Sequence, residues 1–314
     1  MVDIHTIRSK YVCMKMTGNT LKAKVTDYSL VKPSELIDIV ELTPLKLHDK
    51  RLFNEMLANA WSEIGEGKEH RIHKSDITAI DKNLERLEES VDRLMATIIK
   101  TVVEEDGEKY RRTFTFLSRI DNAIRDDGWI KYKFSEDAEH MMLNSNVFAR
   151  IQREVMFALS SRYSLSLYEI LAKRVNLKHT QNEIFELDVF RKMLGVPTDK
   201  YKLMSHLRTR ILDTAFGEVQ QLTNIGCAYQ LVRNRGKGYT HIKVIWFPKD
   251  ASAAYDAEKN RNKPKVQQIA ERKEQAALLR SGDKAAKTVG KSKGTISKVV
   301  KAGKILALKL ENGR

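Results

Sequence analysis

Residues 201–247, YKLMSHLRTRILDTAFGEVQQLTNIGCAYQLVRNRGKGYTHIKVIWF, constrain the fold of this chain more than any other stretch. Leu207, Ile211, Ala215, Val219 and Leu222 recur at steps of four, four, four and three. That spacing places them on one stripe of a helix, the side that must be buried. The opposite side carries Lys202, His206, Thr209, Arg210 and Asp213. Arg208 projects nearer the stripe and suits a phosphate contact. A short turn follows the helix. Then Tyr229, Leu231 and Val232 lead into Arg233-Asn234-Arg235-Gly236-Lys237-Gly238, and Ile242, Val244 and Trp246 alternate with His241, Lys243 and Ile245. This predicts a β-hairpin, because Gly236 and Gly238 can take the positive φ that a tight turn requires.

A helix followed by such a hairpin is the outline of a winged helix. A solvated amphipathic helix or a solubilising loop would explain either piece alone. Together they favour duplex DNA. Arg233, Arg235 and Lys237 repel one another at the hairpin tip unless a polyanion lies nearby. A helix with donors on its outer face can reach base edges or phosphates while its stripe packs inward.

The charge balance agrees. The chain has 314 residues and a net charge of +15, enough length for two or three domains. Residues 251–314 hold 16 Lys and Arg against 6 Asp and Glu, so most of the excess sits in the tail. A basic total with a basic tail suggests nucleic acid, and the tail lacks the aromatic amphipathic face of a membrane-surface helix. No run of about 18 apolar residues is present, so no transmembrane helix is expected. The first residues, MVDIHTIRSKYVCMKM, lack the apolar core of a signal peptide. Cys13 and Cys227 are the only cysteines and form no metal-spacing pattern, so a reducing cytoplasm is the expected compartment.

Upstream, residues 1–29 read as a lead. Residues 44–64 read as a helix with Leu52, Phe53, Met56, Leu57 and Trp61 on its apolar side, ended by Gly65 and Gly67. HRIHKSDIT is a short extended piece. Leu84, Leu87, Val91 and Leu94 predict a second helix whose outer face is acidic through Glu85, Glu88, Glu89 and Asp92. KTVVEEDGEKYRRTFTF is predicted to be a hairpin turning at Gly107, and WIKYKF a strand with Ile130, Tyr132 and Phe134 on one face. The order then repeats. Residues 147–175 are expected to be helical, IFEL a strand, and DVFRKMLGV a helix capped by Asp188. The basic helix and hairpin complete this second copy.

Residues 249–265 read as a polar linker. Beyond it, Ala285, Ala286, Gly290, Ser292, Thr295 and Ile296 fall at helix-turn-helix positions, which would expose Lys298 and Lys301. The expected fold class is therefore α+β: two tandem winged-helix domains, residues 30–143 and 144–248, then a basic helical extension with a helix-turn-helix-like segment at 266–314.

Enzymatic chemistry is hard to place in this chain. His70-Arg71-Ile72-His73 is one residue too long for the His-hydrophobic-His pair of a nicking enzyme, and on a strand its histidines face opposite sides. They read as solvated or capping groups. Gly290-Lys291-Ser292 has Ala285 where a phosphate-binding loop needs its first glycine. Glu104-Glu105-Asp106 and Asp126-Asp127 suit turns better than metal sites. No cofactor, no metal and no catalysis are expected.

The segments LVKPSELIDI, LTPLKL, SRYSLSLYEIL, FELDVFRKMLGV, YKLMSHLRTRILDTAFGEVQQLT and IKVIWF, in this order over roughly residues 30–248, resemble the iteron-binding replication initiator (Rep) proteins of theta-replicating plasmids. The resemblance implies two winged-helix domains. In that family the second reads repeated origin sites in the major groove, and the first contributes dimerisation and further DNA contact. Monomers bind the repeats and open the origin, and dimers repress their own gene at an operator inverted repeat. The host replication initiator and replicative helicase are the implied partners. Carried onto this chain, the recognition helix falls on Ser205–Leu222 with Arg208 and Arg210 at its basic positions, and the wing on Arg233–Gly238. Two features depart from the family pattern. The helix near residues 83–99 is too acidic for a DNA-reading helix, and residues 251–314 lie outside the resemblance. A winged-helix repressor without a replication role has the same outline, and an origin-nicking enzyme is the remaining alternative.

Overall fold

The computed structural model describes residues 23–274 except 24, 39–44, 79–83, 126, 176, 178–179, 235 and 237. They fall into two compact units, one ending at Arg153 and the other starting at Glu154. The lead before residue 23 and the tail with Lys298 and Lys301 lie outside the described residues, as do the wing-tip Arg235 and Lys237.

The first unit opens with β1 (Ser29–Pro33) and α1 (Ser34–Ile37), then α2 (Leu47–Ala60), β2 (His70–His73), α3 (Lys74–Thr78) and α4 (Leu84–Met95). It continues with β3 (Ile98–Glu105), β4 (Glu108–Thr115), β5 (Leu117–Asn122), β6 (Trp129–Phe134), α5 (Glu136–Leu143) and β7 (Phe148–Gln152). Its winged-helix sheet is three-stranded, in the order β2-β6-β5. Ile130, Tyr132 and Phe134 point from β6 into a core with Phe53, Met56, Leu57, Leu94 and Leu117, as the alternation in WIKYKF predicted. The hairpin around Gly107 is also present. Asp106 (φ 53°) and Gly107 (φ 80°) make its two-residue turn, both in the left-handed region such turns need. Its place differs from expectation, however. β3 and β4 form a separate two-stranded ribbon, and the wing of the sheet is β5-β6.

Two further readings are corrected here. Residues 148–152 are a strand, because β7 pairs antiparallel with β1 from Ser29↔Gln152 to Pro33↔Phe148. Long-range pairing overrides the local helical spacing there. It also carries the first unit ten residues past residue 143, the boundary read from sequence. Of the β2 histidines, read as solvated or capping groups, His73 fits: its Nδ1 accepts from the Ser75 N–H at the start of α3, and its ring stands edge-on to Trp129. His70 does not fit: it is buried beside Tyr132 with Nδ1 3.2 Å from Glu63.

The second unit contains α6 (Arg153–Ala158, starting at the boundary), α7 (Arg162–Arg174), β8 (Asn182–Glu186) and α8 (Leu187–Met193). Next comes α9, a continuous helix in three pieces: Met204–His206, Leu207–Leu212 and Asp213–Leu222. β9 (Ile225–Asn234), β10 (Gly238–Pro248) and α10 (Ala251–Arg261) follow. The sheet order β8-β10-β9 repeats that of β2-β6-β5: the short first strand pairs with the last strand of the hairpin. Two local readings change. Glu186, not Asp188, precedes the first turn of α8, and Asp188 sits inside that turn, where its charge favours the helix N-terminus. Residues 251–261 are helix rather than linker, started by Asp250, whose Oδ1 accepts from the Ala253 N–H at 2.8 Å.

One ion pair in the first unit is testable for its weight. Asp49, at 0% exposure, accepts from the Lys46 N–H (2.7 Å) and from Arg93 Nε (2.8 Å) and Nη2 (2.9 Å). Arg93→Ala strands this buried carboxylate and is expected to cost about 3 kcal/mol. Urea unfolding followed at the first unit's Trp61 and Trp129 should show the shift; a loss under about 1 kcal/mol would place the pair among ordinary surface bridges.

Candidate nucleic-acid interface

The back of α9 is sealed. Leu207 and Ile211 are 1% exposed, and Ala215, Val219 and Leu222 are 0% exposed, packed toward α7 and β9. Its front is open: Ser205, His206, Thr209 and Arg210 are all exposed. Lys202, read from sequence as part of this face, is exposed too but lies in the turn before the helix, which starts at Met204. The rest of the outward set stands with two further adjustments. Thr209 Oγ1 donates to the Ser205 carbonyl at 2.9 Å, so toward solvent it offers a methyl group and lone pairs. Asp213 is not an outward residue. Its Oδ1 accepts from Tyr229 Oη (2.5 Å) on β9 and lies 4.0 Å from Arg208 Nε.

The middle piece, Leu207–Leu212, is π-helical; the Asp213 N–H reaches back five residues to the Arg208 carbonyl. A π segment has a wider turn than an α-helix and is often found at functional sites. Here it widens the part of the helix that carries Arg208, Thr209 and Arg210.

The wing is fastened to this helix at its base. Tyr229 joins Asp213 and packs on Phe216 with ring centroids 4.8 Å apart. Burial, reinforced by the Asp213 carboxylate, pushes the Tyr229 phenol well above its ordinary range, so it stays a donor. Along the wing, β9 and β10 pair from Ile225↔Pro248 to Asn234↔Gly238. Gly236 (φ 77°) and Gly238 (φ 76°) adopt the left-handed backbone expected of them. Arg233 is exposed, its guanidinium 4.4 Å from the centroid of the Tyr239 ring across the hairpin.

Sequence reasoning missed the groups that hold α9 in place. Arg191 on α8 donates to the carbonyls of Lys200 (2.7 Å) and Tyr201 (2.8 Å), pinning the turn that leads into the helix where Tyr201 has φ 53°. At the other end, the carbonyls that a helix C-terminus leaves unpaired all find side chains. Lys249 Nζ donates to Gln220 O and, at 2.8 Å, to Thr223 O. Asn260 Nδ2 donates to Gln221 O at 3.4 Å, and Arg261 Nη1 to Leu222 O at 3.0 Å. A lysine directly after a strand carries no sequence signal for this role.

Among the described residues, no three His, Cys, Asp or Glu side chains come together to hold a metal, and no helix is long and apolar enough to cross a membrane.

Desolvation lowers Lys249 to about 8, with the Asp256 carboxylate opposing the shift and the Arg261 guanidinium adding to it. Cys227, itself pushed up to about 12 by burial, stays protonated throughout this range. The folded chain thus releases the Lys249 proton more readily than the unfolded chain. This group's contribution to stability is greatest above pH 10.5 and falls as pH drops toward 8. The unfolding free energy of the protein minus that of Lys249→Met should widen on raising the pH from 8, by at most about 1.4 kcal/mol per pH unit. A constant difference would mean that the amine titrates as in water.

Comparison with known proteins matches this geometry. Residues 29–172 match the family "Initiator Replication protein, WH1", and residues 186–246 match "Initiator Rep protein, WH2". No curated protein sequence matches the chain. Among solved structures, the Pi initiator protein in complex with iteron DNA has the same fold, with a TM-score of 0.52 at 19% identity, over 72% of this chain and 100% of that one. With both winged-helix models matched in order over more than half its length, the chain belongs to the initiator Rep protein family.

Proposed function

We propose that this protein is a plasmid replication initiator that binds repeated origin DNA through its second unit. One observation carries the reading: α9 has a sealed back and an open, donor-rich front, and the base of a basic wing is bolted to it. Membership of the initiator Rep family and a shared fold with an initiator bound to iteron DNA support it. Arg210, with Lys202, Ser205, His206 and Thr209 beside it, is assigned to base edges in the major groove. Arg208, held near Asp213, is assigned to a phosphate, as are Arg233, Arg235 and Lys237 of the wing. Lys298 and Lys301 add sequence-independent attraction. The first unit provides dimerisation and further DNA contact. Dimers repress the protein's own gene, while monomers bind the repeats, open the origin and engage the host initiator and helicase in the cytoplasm.

Arg210→Ala is expected to weaken binding to an iteron duplex by about 1–3 kcal/mol and scrambled DNA far less. Arg235→Ala should weaken both alike. A mobility-shift titration of both variants on both duplexes tests this, and equal losses for Arg210→Ala would remove it from base reading. The protein is also proposed to act without catalysis. Supercoiled origin DNA incubated with it and magnesium should stay supercoiled, and a relaxed product would overturn that part.

A further inference from the structure

The chain does not leave the second unit after the wing. Beyond α10, the helical residues 265–274 return to the buried side of α9. Glu218, on the half of α9 away from its basic residues, is 0% exposed. Its Oε1 accepts from Ser160 Oγ at 2.5 Å and from Arg272 Nη1 at 2.7 Å. One turn on, Gln221 Nε2 donates to the Gln268 carbonyl (3.3 Å) and to Glu271 Oε2 (3.2 Å), and Lys263 holds Glu271 from the other side at 2.8 Å. Gln268, 4% exposed, closes the end of α10 through the carbonyls of Asn260 (3.1 Å) and Lys263 (2.9 Å). Together with Lys249, Asn260 and Arg261 at the end of α9, these groups surround the last two turns of that helix.

An apolar stripe sets which side of a helix is inward but tolerates small rotations and slides. A buried carboxylate does not, because its partner must stay within hydrogen-bond reach or the charge is left uncompensated. We propose that residues 249–272 form a brace that sets the tilt of α9, with Arg272 as a positioning residue acting through Glu218. This rests on the reading of α9 as the DNA-reading helix. The lever is long. Arg210 lies roughly 18 Å along the helix from Leu222 at about 1.5 Å per residue, so a tilt of about 5° at the braced end moves it by roughly 1.5 Å. A base-edge hydrogen bond does not survive such a displacement, whereas a flexible lysine or arginine can still find a phosphate. Loss of the brace therefore degrades discrimination before it degrades attraction.

The test uses the full-length protein, an iteron duplex and a scrambled duplex. Arg272→Ala should lower iteron affinity by about tenfold and scrambled-DNA affinity by less than about twofold, as expected when base contacts fail and phosphate contacts persist. Arg272→Lys, which keeps the charge beside Glu218, should recover most of the ratio. Ile170→Val, a core change in α7 that lowers stability without touching the brace, should leave the ratio alone. If Arg272→Ala does not fold, Glu218→Gln, which keeps the Ser160 bond but drops the ion pair, carries the same expectation of a lower ratio. Equal losses on both duplexes, or a ratio that Ile170→Val lowers as much as Arg272→Ala, would overturn the brace. Arg210→Ala measured alongside separates the two claims. If it lowers the ratio and Arg272→Ala does not, the brace alone falls. If neither lowers it, the reading of α9 falls and takes the brace with it.

Discussion

Burial of the stripe Leu207, Ile211, Ala215, Val219 and Leu222 is the interaction on which the rest of the second unit depends. Removing these side chains from water stabilises the unit by roughly 1.5–3 kcal/mol for each large residue, so together they outweigh the net gain of about 1 kcal/mol from an ordinary hydrogen bond. It decides which side of the helix faces out, and so which donors are left free. The stripe acts on orientation about the helix axis only. Position along the axis and tilt come from directional contacts at the ends: Arg191 before the helix, and Lys249, Asn260 and Arg261 after it. The polar front of α9 is thus placed by groups at its ends and on its back, while the front itself stays open to solvent.

What was legible in the sequence follows the same division. The stripe was legible because side-chain period is a direct record of burial. Even the π segment left a trace: steps of four, four and four are wider than an α-helix prefers, and they span the piece that is under-wound. The wing was legible because only glycine takes its turn geometry without strain. The helix at 251–261 was not legible, since its sequence has no apolar stripe and its one fully buried side chain is Ala257. It is held by hydrogen bonds from polar side chains to carbonyls, and no spacing rule encodes those. β7 was missed because its pairing with β1 spans more than a hundred residues of chain. Asp213 was misplaced because period alone puts it outside, whereas the Tyr229 hydroxyl draws it toward the wing.

The two units share an order of elements and a sheet topology but not an electrostatic character. In the first unit, α4 occupies the place in the element order that α9 occupies in the second. Its exposed face carries Glu88, Glu89 and Asp92. Glu89 is held below its ordinary range by Arg93 and Lys46, so it is ionised at any pH where the protein would meet DNA. Arg93 is committed to Asp49 as well, leaving that cation turned toward its own unit. A phosphate approaching this helix meets net negative charge, and the repulsion grows as salt is lowered. The shared topology therefore does not carry a shared charge: this face of α4 repels phosphate and suits contact with a basic or neutral surface.

In the second unit, helix and wing behave as one body because Asp213 links them. Its carboxylate takes the Tyr229 proton donor from β9 and lies at the edge of ion-pair distance from Arg208 on its own helix. Both linked side chains are at least partly shielded from water, which strengthens the hydrogen bond relative to a surface pair. An arginine kept beside an internal carboxylate is also kept in position, so it meets a phosphate with less loss of side-chain freedom than an unrestrained one. The carboxylate has an electrostatic cost as well, since it offsets part of the attraction Arg208 has for phosphate. Arg210 has no such neighbour among the described ion pairs, and its charge remains wholly available at the open front of the helix.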